Sequence, residues 1–164
     1  MEDQEFREFY QASWPRLRKQ LVLVAGDAGE GEDALQEAFI RAAASWRRVR
    51  VYDAPEAWVR RVALNLAANT ARRARRRAAL LLRLGPAPPP LDLDPELVDL
   101  ATGLRALSRE QRTVVVLHHL AGLPVGEIAG ELGIPAGTVK TRLHRGRAAL
   151  ARALAVHPEE VTYG

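Results

Sequence analysis

The chain has 164 residues, enough for one ordinary domain or two small ones, and its 48% apolar content can build a core, which excludes wholesale disorder. It contains no cysteine, which excludes disulfides, thiolate metal sites and cysteine nucleophiles and fits a reducing compartment. The net charge of +4 hides a strong bias: the basic residues are 22 Arg and 2 Lys, and arginine makes forked contacts with phosphate and guanine.

The N-terminus, M-E-D-Q-E-F-R-E-F-Y, is acidic and has no signal-peptide pattern. No apolar run approaches the ~20 residues that span a bilayer, so a soluble, cytoplasmic protein is expected. A first helix is predicted from Asp3 to Ala25, ended by Gly26. A second runs from Gly31 to Val49, with acidic residues Asp27, Glu30, Glu32 and Asp33 around its start, where they suit the helix dipole. Leu35, Phe39 and Ala42 make its buried stripe. R-V-R-V-Y-D-A-P-E is a break, with Pro55 suited to the first turn of the next helix, Pro55 to Leu82, whose apolar face is Val59, Val62, Ala63 and Leu66.

Charge is polarised in this half. From Arg41 to Arg83 there are 12 arginines and two acids, Asp53 and Glu56. Intrahelical salt bridges cannot balance such a run, and its self-repulsion costs stability unless a polyanion relieves it. The reading is a nucleic-acid surface. Leu84 to Pro95 then holds five prolines in twelve residues, an extended linker. The expected fold class is all-α: two small helical domains, residues 1–83 and 96–157, joined by the proline-rich linker 84–95.

Past the linker a short helix is predicted from Pro95 to Leu104. Ser108 with Gln111 three residues on forms a capping-box pattern opening a helix that ends at Gly122. P-V-G-E-I-A-G-E-L then forms a short helix with Ile128, Ala129 and Leu132 inward, ended by Gly133 in a left-handed cap. Ile134 can drop into the core across the turn. On the last helix Val139, Leu143, Gly146 and Leu150 share one face. A short helix, a glycine turn and a second helix form a DNA-binding helix-turn-helix. Lys140, Thr141, His144 and Arg145 then point away from the core as donors for base edges in a major groove. Arg142 and Arg147 flank them toward backbone phosphate, and Thr138 offers a hydroxyl and amides at the helix start.

With these motifs in order, the sequence resembles the extracytoplasmic-function (ECF) group of bacterial RNA polymerase sigma factors. G-E-G-E-D-A-L-Q-E-A-F-I-R-A is similar to the family's D-x-x-Q-E-x-F helix. P-E-A-W-V-R-R-V-A-L-N-L-A-A-N-T-A-R-R-A-R-R-R is similar to the helix that opens and reads the minus-ten element. P-V-G-E-I-A-G-E-L-G-I-P-A-G-T-V-K-T-R-L-H-R-G-R-A-A-L is similar to the region that reads the minus-thirty-five element. The resemblance implies that Asp33, Gln36 and Glu37 dock on core RNA polymerase. It implies that Asn65 and Asn69, spaced to share a helix face, recognise the exposed promoter strand. Arg61, Arg72, Arg73 and Arg76 are expected on the DNA backbone. The break from Val49 to Ala57 corresponds to a loop that holds a flipped base, and Trp58 to a family aromatic that suits core packing at least as well as stacking. The linker corresponds to a segment that threads toward the polymerase active-site cleft. Promoter DNA, core polymerase and an anti-sigma factor are the partners implied.

Ala34 stands where the family often has leucine or valine. No further C-terminal domain is expected after H-P-E-E-V-T-Y-G. Two other readings compete. An autonomous helix-turn-helix regulator shares E-I-A-x-x-L-x-I with the C-terminal half, but a receiver domain would alternate strands and helices. An enzyme would need an acid/base or metal cluster; adjacent His118 and His119 point to different faces. No catalytic residue, metal or cofactor is expected.

Overall fold

The computed structural model describes residues 1–80 and 93–155, and all regular structure among them is α-helical. The chain divides into two compact units, Met1–Pro90 and Leu91–Gly164. Of the expected linker only Leu93, Asp94 and Pro95 are described; Leu84 to Asp92, the expected helix end at Leu81 and Leu82, Arg83 and the residues past Ala155 lie outside the described residues.

The first unit is built on α1 (Glu2–Ala25). Glu2, Asp3 and Glu5 crowd its first turn, where negative charge opposes the helix dipole. It runs straight through Pro15, which removes one amide donor without ending the helix. Gly26 ends it at φ 73° and donates its amide to the Val22 carbonyl at 2.9 Å. The second helix, α2 (Ala28–Ala44), begins earlier than the acidic cluster suggests. Asp27 is the cap: its side chain accepts from the Glu30 amide at 2.8 Å. The single helix expected to reach Val49 is interrupted at Ser45 (φ −117°, ψ 22°), and a short turn, α3 (Trp46–Val49), follows.

That break carries Trp46 inward. Phe6, Phe9, Tyr10 and Trp14 line one side of α1. Trp46 meets Phe6 edge-on at 5.3 Å and Phe9 at 5.0 Å, while Phe39 of α2 meets Tyr10 edge-on at 4.8 Å. Six of the nine aromatics of the sequence thus share one cluster that fixes α1 over α2 and α3. The last helix of this unit, α4 (Pro55–Leu80), packs chiefly against α2 and also against α1. Ala34, Ala38 and Ala42 on α2 and Ala63 and Ala67 on α4 are buried, and side chains this small let the two backbones approach closely. The buried face of α4 is Val59, Ala63, Leu64 and Ala67; Val62 and Leu66, expected there, are half-buried at its edge.

The second unit comprises α5 (Pro95–Leu104), α6 (Arg109–His119), α7 (Val125–Leu132) and α8 (Ala136–Ala155). The capping box forms as the spacing predicts: Ser108 Oγ accepts from the Gln111 amide at 3.2 Å, and Gln111 Oε1 accepts from the Ser108 amide at 3.3 Å. The end of α6 falls at His119, before the predicted Gly122, which takes φ 70° in the following turn. Gly133 closes α7 at φ 66°, its amide donating to the Ala129 carbonyl. Val114 to Leu117, Ile128, Val139 and Leu143 are buried together with Leu104 and Leu107, and each full burial is worth about 1.5–3 kcal/mol before entropy is counted. Ala129, Leu132, Ile134 and Leu150 are half-buried.

At Gly31 of α2 a Cβ would stand 2.8 Å from the Val22 Cα and amide nitrogen of α1. Backbone cannot give way as a side-chain tip can. Gly31→Ala is therefore expected to destabilise the N-terminal unit by about 1–3 kcal/mol, measured by thermal melting. Gly130→Ala, on an open side of α7 with nothing within 4 Å, is expected to gain about 0.5–1 kcal/mol by the same measurement.

Candidate nucleic-acid interface

The outer face of α8 follows from its inner one. With Val139, Leu143 and Gly146 buried, Lys140, Thr141, His144 and Arg145 are all exposed and form one patch. Gly146 sets the depth of this helix: a Cβ there would lie 2.8 Å from Val115 Cγ2 of α6. Two members of the predicted set are already engaged. Thr141 donates its hydroxyl to the Gly137 carbonyl at 3.0 Å, which leaves the oxygen free only to accept. Thr138 is half-buried and its amide donates to the Pro135 carbonyl at 3.0 Å, so the amide expected to meet a phosphate instead closes the first turn. Arg142 is half-buried on one flank.

Arg147 lies on the other flank, exposed, and its Nε donates to His119 Nε2 of α6 at 3.0 Å. His119 meets His118 edge-on at 4.9 Å, and His118 Nδ1 lies 2.9 Å from the Leu123 carbonyl in the turn leading to α7. Partial burial, then the Arg147 charge, then His118 push the His119 pKa below the ordinary imidazole value. Sequence reasoning assigned these histidines no role. A second missed feature is an arginine cluster around the α6 start. Desolvation, then Arg109 and Arg105, lower the Arg112 pKa against the opposing pull of Glu110, and the Arg112 Nε is buried without an acceptor.

In the first unit the arginine run separates into two classes. Arg41 pairs with Glu37 in its own helix at 3.1 Å. Arg47 and Arg50 pair across to Glu2 and Glu5 of α1, each at 3.1 Å. Arg60 is no part of a basic face at all: it is buried, and its Nη1 donates to Gln20 Oε1 of α1 at 3.2 Å. Glu56, one of the two acids in the stretch, turns to Arg16. What remains is Arg48 on α3 and Arg61, Arg73, Arg75, Arg76 and Arg77 on α4, exposed and with no ion pair or hydrogen bond among the described residues.

Asn65 and Asn69 are exposed one turn apart on the same helix, and the Asn69 side-chain oxygen accepts from Arg72 Nη2. The turn into α4 presents Val51 and Tyr52 to solvent, while Trp58 is half-buried. On α2, Asp33, Gln36 and Glu37 are all exposed on one side, Glu37 through its pair with Arg41. Ile40, one turn further, is exposed with them. Among the described residues no three His, Asp or Glu side chains are grouped to hold a metal ion, and no helix is long and apolar enough to cross a membrane.

Residues 9–77 match the family described as sigma-70 region 2, and residues 97–150 match sigma-70, region 4. The chain is 36% identical to the ECF RNA polymerase sigma factor SigE of Mycolicibacterium smegmatis over 88% of its own length, and it spans 60% of that relative. It is 31% identical to the RNA polymerase sigma-E factor of Streptomyces coelicolor, covering 92% of this chain and 86% of the relative. The sigma factor RpoE of Bartonella quintana, solved in complex with the anti-sigma factor NepR, shares the fold with a TM-score of 0.72 at 23% identity, over 93% of this chain and 98% of that one.

The unpaired α4 arginines make affinity depend on salt in a way that can be measured. Arg73→Ala with Arg76→Ala is expected to flatten the slope of log affinity for a single-stranded oligonucleotide against log salt by about 0.7 for each phosphate no longer neutralised. Arg47→Ala, which removes an arginine already paired to Glu2, is expected to change that slope far less.

Proposed function

The chain belongs to the extracytoplasmic-function sigma factors of bacterial RNA polymerase, and from that premise we propose that it docks on the core enzyme and directs promoter-specific initiation. The observation that carries this reading is the pair of donor-rich surfaces, one on each unit, that the folded chain leaves unneutralised: the α4 arginines and the outward patch of α8.

The work is binding rather than covalent chemistry. In the second unit α8 enters the major groove of the minus-thirty-five element. Lys140, Thr141, His144 and Arg145 face base edges, while Thr138, Arg142 and Arg147 face backbone. In the first unit Asn65 and Asn69 read the exposed minus-ten strand, and Arg61, Arg72, Arg73 and Arg76 hold its phosphates. Asn69 keeps its amide nitrogen for a base while its oxygen steadies Arg72. Asp33, Gln36 and Glu37 dock on core polymerase. Because one chain bears both DNA grips, the second binds at the effective concentration set by the first, so neither must be strong alone. An anti-sigma factor is a further partner, since the Bartonella relative was crystallised with one. This mode of action is that of a cytoplasmic protein. An autonomous helix-turn-helix regulator is disfavoured by the first unit, whose described residues form no strand and match sigma region 2.

Reconstitution with core RNA polymerase tests the reading. The expected result is a stable complex that initiates from a promoter carrying both elements; no complex with core overturns it. Within that assay Asp33→Ala with Glu37→Lys is expected to weaken core binding at least tenfold, about 1.4 kcal/mol, with the melting curve unchanged. Arg145→Ala is expected to cost about 1–3 kcal/mol of discrimination at one base pair of the upstream element, read by competition binding.

A further inference from the structure

We propose that His119 is a positioning residue that aims the Arg147 guanidinium at a DNA phosphate, and that only neutral His119 can do so. The proposal rests on Arg147 being a backbone contact.

Arginine carries donors only and keeps its proton, so in the 3.0 Å contact the Arg147 Nε–H donates and His119 Nε2 accepts. The ring proton must then sit on Nδ1. Because the guanidinium is planar, holding Nε holds the plane of the whole group. Both Nη groups stay available, and their four N–H bonds can meet two phosphate oxygens at once. His119 does not hang free either. The His118 ring stands edge-on against it at 4.9 Å, and His118 Nδ1 is 2.9 Å from the Leu123 carbonyl. A line of contacts thus runs from the turn before α7, through α6, to the flank of the groove-reading helix.

Protonation reverses this arrangement. An imidazolium has no acceptor, so Nε2–H would face Arg147 Nε–H, with two positive charges in contact. The groups around His119 offer no relief: Arg147 from α8, His118 from α6, and the uncharged Leu100 and Leu104 from α5. No carboxylate stands among them. The same surroundings lower the His119 pKa, so the neutral, aiming form prevails at neutral pH and is lost on acidification.

The test measures anisotropy of a labelled minus-thirty-five duplex with the whole chain at constant ionic strength, from about pH 8 down to about pH 5, through and below the ordinary imidazole value. His119→Gln keeps an acceptor for Arg147 that does not titrate, and His119→Ala removes it. His144 is the other imidazole on this helix, but it is common to every variant and cancels in affinity ratios. The ratio of unaltered protein to H119Q should start near unity and fall several-fold with acid. H119A should bind about threefold to tenfold more weakly even at neutral pH, the usual net size of a single solvent-accessible hydrogen bond. In an Arg147→Ala background the His119 substitutions should have no further effect. A ratio that stays flat with pH, or H119A binding like the unaltered protein while Arg147→Ala binds weakly, overturns the role of His119. Arg147→Ala binding at full strength overturns the backbone role of Arg147 itself.

Discussion

Two close approaches at helix glycines decide what this molecule shows to its surroundings. At Gly31 the second helix lies against the backbone of the first, and at Gly146 the groove-reading helix lies against Val115 and Gln111 of α6. At Gly31 there is no room for a Cβ, and at Gly146 one would have to displace the Val115 side chain. A helix can present one stripe inward, so fixing its depth and rotation at one residue fixes every other residue on it. Gly31 in contact puts Asp33, Gln36 and Glu37 outward on α2. Gly146 in contact puts Lys140, Thr141, His144 and Arg145 outward on α8. The functional surfaces are therefore the complement of the packing surfaces.

Charge is sorted by the same geometry. Arginines at 47 and 50 meet acids of the first helix turn of the chain, and Arg60 goes into the interior with Gln20. Exposed pairs of this kind contribute about 0–1 kcal/mol each, so their chief effect is on the field. They cancel positive charge beside α3 and leave it concentrated on α4. A polyanion meets a concentrated cationic segment there, which is a stronger basis for alignment than a sphere of the same total charge.

What could be read from the sequence was local. Gly26, the Ser108–Gln111 box and Gly133 act within four residues of themselves, and each occurs as the spacing predicts. The outward patch of α8 was equally legible, because it needs only helical periodicity. Interactions across long stretches of chain were not. The break at Ser45 makes sense only when Trp46 has Phe6 and Phe9 to reach, forty and thirty-seven residues away. Arg60 looks like any member of a basic run until Gln20 is beside it, and His119 looks idle until Arg147 arrives from 28 residues on. Asp27 is a different kind of miss: its capping signal was local, but neighbouring acids obscured which one caps.

The two halves of α4 are held very differently. From Val59 to Ala67 it buries a face against α2 and α1; from Arg72 to Leu80 every side chain is exposed. A helical segment that packs against nothing among the described residues is marginal, and five arginines in its six residues from Arg72 to Arg77 add repulsion along it. Its helical state is supported from one end only, by propagation from the packed turns. Arginine helps by its good helix propensity, but propensity of a few tenths of a kcal/mol per residue does not offset like charges at i and i+4, such as Arg72 with Arg76 and Arg73 with Arg77. In the proposed role this is a useful imbalance. Phosphates that approach this segment remove the repulsion as they bind, so strand capture and helix stability reinforce each other. The half of α4 with the least packing beneath it is then the half whose order depends most on the nucleic acid it serves.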